Sequence, residues 1–149
     1  MTNTSLAAGE QLLDLFDRLR KLAFGQHPLQ DGGVTLPQLT LLDWLATAPG
    51  CHSQELADGL ELTAPTVSVG VRRLEAAGLL ERQPDPQDGR AIQLFLTTQG
   101  QELYQRARAF RQDKMQLLLK GLTPEEQVTL LTLLAQAVSS AEEEAEVRI

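Results

Sequence analysis

The chain has 149 residues, which is enough for one domain with a real hydrophobic core and too few for two independent domains. Its 20 acidic and 13 basic residues give a formal net charge of −7, which argues against a protein that coats nucleic acid by bulk charge. A single cysteine excludes an internal disulfide, and two histidines are too few for a zinc site. We therefore expect neither a metal nor a cofactor.

No stretch approaches the roughly 20 apolar residues of a membrane span, and the first residues lack the basic-then-apolar order of a secretion signal. These features predict a cytoplasmic protein with no membrane partner. The sequence also shows no paired nucleophile and base, no glycine-rich phosphate loop and no cluster of metal ligands. We therefore expect no catalytic residues and no enzymatic activity.

The first predicted helix covers residues 5–25. Its apolar side chains recur at the spacing of one helix face: Leu12, Phe16, Leu19 and Ala23. A second helix is predicted within VTLPQLTLLDWLATAPG, residues 34–50, with Thr35 as its N-cap. Pro49 and Gly50 end the second helix.

Residues 51–78, CHSQELADGLELTAPTVSVGVRRLEAAG, contain two short helical patterns that are broken at residues 59–62. Ser53 is suited to cap the first helix and Thr63 the second, with Pro65 in the first turn, where its missing N–H costs nothing. Two helices joined by such a turn form a helix-turn-helix. Gly78 ends the second helix.

Two short segments with strand character follow, LLERQ and AIQLFL, separated by the turn-forming sequence PDPQDG. A hairpin directly after a helix-turn-helix makes a winged helix. Helix then returns over residues 98–145, with capping boxes predicted at Thr98 with Gln101 and at Thr123 with Glu126. The acidic ending AEEEAEVRI is expected to fray.

The whole chain, residues 1–149, is thus predicted to form a single domain with a winged helix-turn-helix lobe at residues 34–100. The helices in residues 5–25 and 98–145 carry more apolar surface than this small lobe can cover. They either pack on each other within one monomer or form a dimer. We favour the dimer, because a two-fold arrangement also suits a symmetric DNA site.

From Val34 to Gly100 the chain resembles the MarR family of bacterial transcription regulators, in the motifs VTLPQLTLLDWLA, ELADGLELTAPTVS, RRLEAAGLLER, DPQDGR and LFLTTQG. The resemblance implies a mainly α fold with a small β-hairpin, in which a winged helix-turn-helix is flanked by N- and C-terminal dimerisation helices. It also implies a homodimeric repressor or activator that binds double-stranded DNA, and of the two we favour a repressor that binds a palindromic operator. A small aromatic or phenolic effector would release it.

On a helical wheel, Val67, Val71 and Leu74 share the core face of the second helix of the helix-turn-helix. Arginine and hydroxyl side chains on the outer face can bond base edges or phosphates. The alternative is that Arg72 and Arg73 are only solvated surface charges paired with Glu75. The predicted DNA contacts are Ser53, Gln54, Thr63, Pro65, Thr66, Ser68, Val69, Arg72, Arg73, Arg82, Asp88 and Arg90.

In the hairpin, Gly89 allows a tight turn, and Arg90 can enter a narrow minor groove. The resemblance assigns Asp88 the task of holding the Arg90 guanidinium in a bidentate pair. Arg82 either touches phosphate or braces the wing. The sequence leaves both roles open for it.

The chain departs from the family pattern at Val69 and Gly70, where a basic and a larger apolar residue are common. A glycine inside a helix costs about 1 kcal/mol relative to alanine. Residues 51–98 also hold four arginines against seven carboxylates, a balance of −3. This acidity motivates a rival hypothesis, in which the winged helix is a protein-interaction module without sequence-specific DNA binding.

Four residues near the first helices are candidates for an effector site, each with a simpler role. Phe16 also suits a dimer core, Trp44 suits core packing, and Arg18 and His27 suit the surface and a loop. Redox-sensing relatives carry a reactive cysteine in the first helix, so the resemblance gives no redox role to Cys51.

Overall fold

The computed structural model describes residues 3–24 and 34–147, and these form six α-helices and one β-hairpin. They group into two compact units, residues 1–111 and 112–149, whose boundary falls inside the fifth helix. The elements are α1 (Asn3–Phe24), α2 (Leu36–Thr47), α3 (Ser53–Gly59), α4 (Ala64–Ala76), β1 (Leu80–Pro84), β2 (Ile92–Leu96), α5 (Thr98–Leu119) and α6 (Pro124–Val147). The predicted mainly α fold with a winged helix-turn-helix is confirmed.

The core of the first unit is built from α2, α3, α4, the hairpin and the start of α5. Val67, Val71 and Leu74 are at most 1% exposed, which confirms the core face predicted for α4. They meet fully buried leucines from the neighbouring elements, Leu42, Leu45, Leu56 and Leu94. Burying each such side chain stabilises the lobe by about 1.5–3 kcal/mol.

Three of the predicted helix starts are confirmed. The Thr35 N–H donates to Oε1 of Gln38 (2.9 Å), and Oγ1 of Thr63 accepts the N–H of Thr66 (3.3 Å). The Thr123 N–H donates to Oε2 of Glu126 (2.8 Å) at the start of α6. These bonds satisfy N–H groups that have no partner inside the helix.

Two predicted caps are wrong by one residue. The N-cap of α3 is His52, not Ser53, and Oγ1 of Thr97, not of Thr98, accepts the N–H of Gly100 (3.1 Å) at the start of α5. In each case the residue before the cap pairs with the hairpin region, and the helix begins one residue earlier than the local pattern indicates.

The acidic C-terminal segment does not fray as predicted: α6 continues to Val147. Alanine and glutamate are strong helix formers, so the propensity of AEEEAEV favours continuing the helix.

The hairpin is a two-stranded antiparallel sheet that runs from the pair Leu80 and Leu96 to the pair Pro84 and Ile92. An isolated bridge adds Cys51 beside Leu94: the Leu94 N–H donates to the Cys51 carbonyl oxygen, and the Gly50 N–H donates to that of Leu94 (both 2.9 Å). The wing is therefore fastened to the segment that precedes α3.

A bidentate ion pair fastens α5 to α2 within the first unit. The two terminal nitrogens of Arg111 donate to the two carboxylate oxygens of Asp43, at 3.1 and 2.8 Å. Paired charge-assisted bonds of this kind fix orientation as well as distance.

Glycine is required where α5 starts. A Cβ at Gly100 would overlap the backbone carbonyl oxygen of Leu79, which cannot rotate away, and Gly100 is buried. Gly9, by contrast, has open space around it in the middle of α1. The two positions form a matched pair of helical glycines.

We expect Gly100→Ala to lower the free energy of unfolding by about 1–3 kcal/mol, the usual range for overpacking. Gly9→Ala should raise it by up to about 1 kcal/mol, because it improves helix propensity without a clash. Urea unfolding at one fixed protein concentration measures both. A Gly100→Ala variant as stable as the parent would show that the contact with Leu79 is not tight.

Candidate nucleic-acid interface

The outer face of α4 presents the predicted side chains to solvent. All are exposed: Pro65, Thr66, Ser68, Val69, Arg72 and Arg73. At the N-terminal end of the helix, the hydroxyls of Thr63 and Thr66 lie 2.8 Å apart. These two hydroxyls lie at the positive end of the helix dipole, which favours phosphate.

The two arginines of α4 are not neutralised by Glu75. The Arg72 Nε donates to the Ser68 carbonyl oxygen of its own helix (3.4 Å), and no ion pair in residues 3–24 and 34–147 includes Arg72 or Arg73. Glu75 instead accepts a bond from Arg82 (2.9 Å). Both arginines of α4 can therefore pair with an anionic group of another molecule.

The same bond shows which group Arg82 contacts within the protein. Arg82 lies on β1, and its Nε reaches Oε2 of Glu75 on α4. Arg82 braces the wing against the helix, one of the two roles predicted for it. Both side chains are more than a third exposed, so the bond fixes geometry more than it adds stability.

The predicted bidentate pair between Asp88 and Arg90 is wrong. Oδ1 of Asp88 accepts the backbone N–H of Arg90 (3.1 Å), not its guanidinium, and the Asp88 carbonyl oxygen accepts the N–H of Ala91 (2.9 Å). Short aspartate side chains commonly cap the backbone two residues on, and that bond uses the carboxylate. Asp88 therefore shapes the turn that carries Arg90 and leaves the guanidinium exposed.

A second aspartate organises the base of the same loop. Oδ1 of Asp85 accepts the N–H of Gln87 (2.8 Å), and the Asp85 N–H donates to the carbonyl oxygen of Ala91 (3.0 Å). The pKa of Asp85 lies below its usual value, chiefly because of the bond from Gln87. Its other oxygen, Oδ2, lies 3.0 Å from Nε2 of His52.

Sequence reasoning missed this contact between His52 and Asp85, which are 33 residues apart. A histidine at an N-cap, where Ser, Thr, Asp or Asn are usual, was the available signal. Ser53 and Gln54 follow it at the exposed start of α3, where Gln54 Nε2 donates to Oδ1 of Asp58 (2.8 Å).

An apolar groove of about 380 Å³ lies between the start of α2 and α4. Gly70 leaves space for the side chain of Leu41, because a Cβ there would overlap Cδ1 of Leu41. This packing gives a physical reason for a glycine at a position where the family commonly has a larger apolar residue. Thr35, Pro37, Gln38, Leu41, Leu62, Pro65, Thr66, Val69, Gly70 and Arg73 line the groove.

The predicted effector residues lie in different surroundings. Phe16 is about half exposed on α1, and Arg18 is exposed beside Asp14 (3.8 Å). The Trp44 ring packs over Gly59 and against the core, and its side chain forms a hydrogen bond with the thiol of Cys51. His27 lies outside the described residues.

Cys51 is buried beneath the hairpin. Burial raises the pKa of its thiol, and the charge of Glu55 raises it further. Since the thiolate is the reactive form, this cysteine is poorly suited to sense oxidants.

The described residues contain neither a membrane-spanning helix nor a cluster of metal ligands. None of the helices is long and apolar enough to cross a membrane. Within residues 3–24 and 34–147, no group of three or more histidine, cysteine or acidic side chains is placed to hold a metal ion.

Comparisons with known proteins agree with this architecture. The family model described as MarR family matches residues 32–91. The HTH-type transcriptional repressor Rv2887 of Mycobacterium tuberculosis is 36% identical over 77 residues, which are 52% of this chain and 55% of the repressor. The chain thus aligns with little more than half the length of that relative.

Solved structures match over nearly the whole chain. YusO from Bacillus subtilis superposes with a TM-score of 0.76 at 26% identity, covering 93% of this chain and 99% of YusO. The PcaV transcriptional regulator from Streptomyces coelicolor, in complex with its natural ligand, gives 0.67 at 26% identity, covering 95% and 98%. The MarR family model matches the chain from the start of α2 through the helix-turn-helix to the wing loop, and over these residues the chain is similar to members of that family.

Proposed function

We propose that this protein is a DNA-binding transcriptional repressor. The observation that carries the proposal is that three exposed arginines form no ion pair within the described residues. They are Arg72 and Arg73 on α4 and Arg90 on the wing. The repressor name of its relative from Mycobacterium tuberculosis supports the same activity. We expect it to act in the cytoplasm, where the DNA is.

In this proposal α4 enters the major groove and the wing follows the adjacent minor groove. Arg72 and Arg73 meet guanine edges or phosphates, and Val69, which is 39% exposed, meets a thymine methyl group. Thr63, Thr66 and Ser68 bond phosphates or bases, and Ser53 and Gln54 at the start of α3 meet the backbone. Arg90 enters the minor groove, where the potential is most negative.

We infer that the protein acts as a homodimer. The leucines of α1 are largely exposed, for example Leu12 (52%) and Leu13 (65%). In α6 no residue is buried, and its leucines are exposed as well, for example Leu131 (54%) and Leu133 (60%). Exposed apolar faces of this extent mark an interface, and a second copy presents the same faces.

We also infer a small aromatic or phenolic effector that releases the DNA. The support is that a relative of similar fold was crystallised with its natural ligand. Within the described residues, Nε of Arg111 is a buried donor that makes no hydrogen bond. An anionic or phenolic group supplies the acceptor that such a donor lacks. Phe16, Arg18, His27 and Trp44 remain candidate residues of this site.

Selection of bound duplexes from genomic DNA tests the proposed function. We expect a palindromic site, bound by a dimer, with half-sites about one helical turn or roughly 34 Å apart. The affinity should fall as salt rises, because the arginines release counterions from the DNA phosphates that they contact. Protection of only one half-site would contradict the dimer, and no selective binding at any salt would favour a protein-interaction module.

Replacing Arg90 with alanine should weaken binding to the selected duplex roughly tenfold. Arg90→Lys should have an intermediate effect, because it keeps the charge without the planar guanidinium. Arg20→Ala is the matched control: it removes the same charge from an exposed, paired arginine on α1. Fluorescence anisotropy of a labelled duplex measures all three, and equal losses for Arg90→Ala and Arg20→Ala would remove Arg90 from the interface.

The buried thiol predicts indifference to oxidants. Wild-type protein and Cys51→Ser should bind the selected duplex equally before and after treatment with hydrogen peroxide, because the raised pKa of Cys51 leaves little thiolate. Gel-shift titrations make the comparison. An oxidant response that disappears in Cys51→Ser would contradict the prediction.

A further inference from the structure

One side-chain contact joins the start of α3 to the wing loop, residues 85–91. Nε2 of His52 lies 3.0 Å from Oδ2 of Asp85. On the other side of the ring, Nδ1 lies 3.6 Å from Oε2 of Glu55. The imidazole thus lies between a carboxylate of the wing and a carboxylate of its own helix.

Asp85 is the residue that closes this loop. Its N–H bonds to the carbonyl oxygen of Ala91, and its Oδ1 accepts the N–H of Gln87, so its backbone and side chain together define the loop. The side chain is only 13% exposed. Arg90 immediately precedes Ala91, so a displacement of Asp85 displaces the backbone that carries Arg90.

The cap of α3 does not require a histidine. The His52 N–H donates to Oε2 of Glu55 (2.7 Å), a bond that any residue with a backbone N–H makes, and Ser, Thr, Asp and Asn are the usual N-cap residues. What a histidine adds at this position is length and a ring nitrogen that reaches the wing.

We propose that His52 is a positioning residue for DNA binding, whose bond to Asp85 holds the wing loop in the conformation that presents Arg90 to the minor groove. The inference rests on the proposed function, because the position of Arg90 has this consequence only when the wing meets DNA. It adds a side-chain tether to the backbone pairing of Cys51 with Leu94.

Two substitutions separate the tether from the cap. His52→Ser provides a good N-cap but cannot reach Asp85, and His52→Gln provides an uncharged donor of comparable reach. We expect His52→Ser to bind the selected duplex about threefold to tenfold more weakly than wild type, with an unchanged thermal midpoint. His52→Gln should keep most of the affinity, because its amide N–H can donate to the same carboxylate oxygen of Asp85.

Amide hydrogen exchange gives a readout without DNA. In His52→Ser, the N–H groups of Gln87 and Ala91 should exchange faster, because the residue that organises their loop is no longer held. Unchanged exchange would overturn the tether, and faster exchange with unchanged affinity would overturn the positioning role. Wild-type protein that binds no selected duplex would overturn the proposed function and the role in DNA binding, while the exchange rates still decide whether the tether exists.

Discussion

The backbone of Leu94 is bonded to the segment before α3 on one side and paired with Arg82 of β1 on the other, while its side chain is fully buried. A two-stranded hairpin is barely stable alone, so this third partner and the core beneath it keep the wing in place. The contact between His52 and Asp85 and the bond from Arg82 to Glu75 both require the hairpin to be held in this position.

The helices could be predicted because their signals are local. Val67, Val71 and Leu74 recur at helical spacing, and Thr63 is followed by a proline in the first turn, so the core face and start of α4 follow from neighbouring residues alone. The caps at His52 and Thr97 could not be placed in this way. Each depends on where a residue stops pairing with a distant strand, which a local pattern does not contain.

The candidate site shows the same division. The exposure of Arg72 and Arg73 follows from the wheel, whereas the partners of the remaining charges are set by the tertiary fold. Glu75 is within three residues of both arginines of α4, yet it accepts a bond from Arg82 on β1. Asp88 accepts the backbone N–H of Arg90 and not its guanidinium. Some of the carboxylates that give the lobe its negative charge therefore accept hydrogen bonds that shape the wing loop or hold the hairpin against α4.

Thr97 links the segment after α4 to the start of α5 through one hydroxyl. Its Oγ1 donates to the carbonyl oxygen of Gly78, just after α4, and accepts the N–H of Gly100 in α5, while its own N–H donates to the Leu79 carbonyl oxygen. Gly100 also sits directly against that carbonyl. The first turn of α5 is therefore bonded to the residues that directly follow α4, so a rotation of α5 about its axis would shift the C-terminal end of α4.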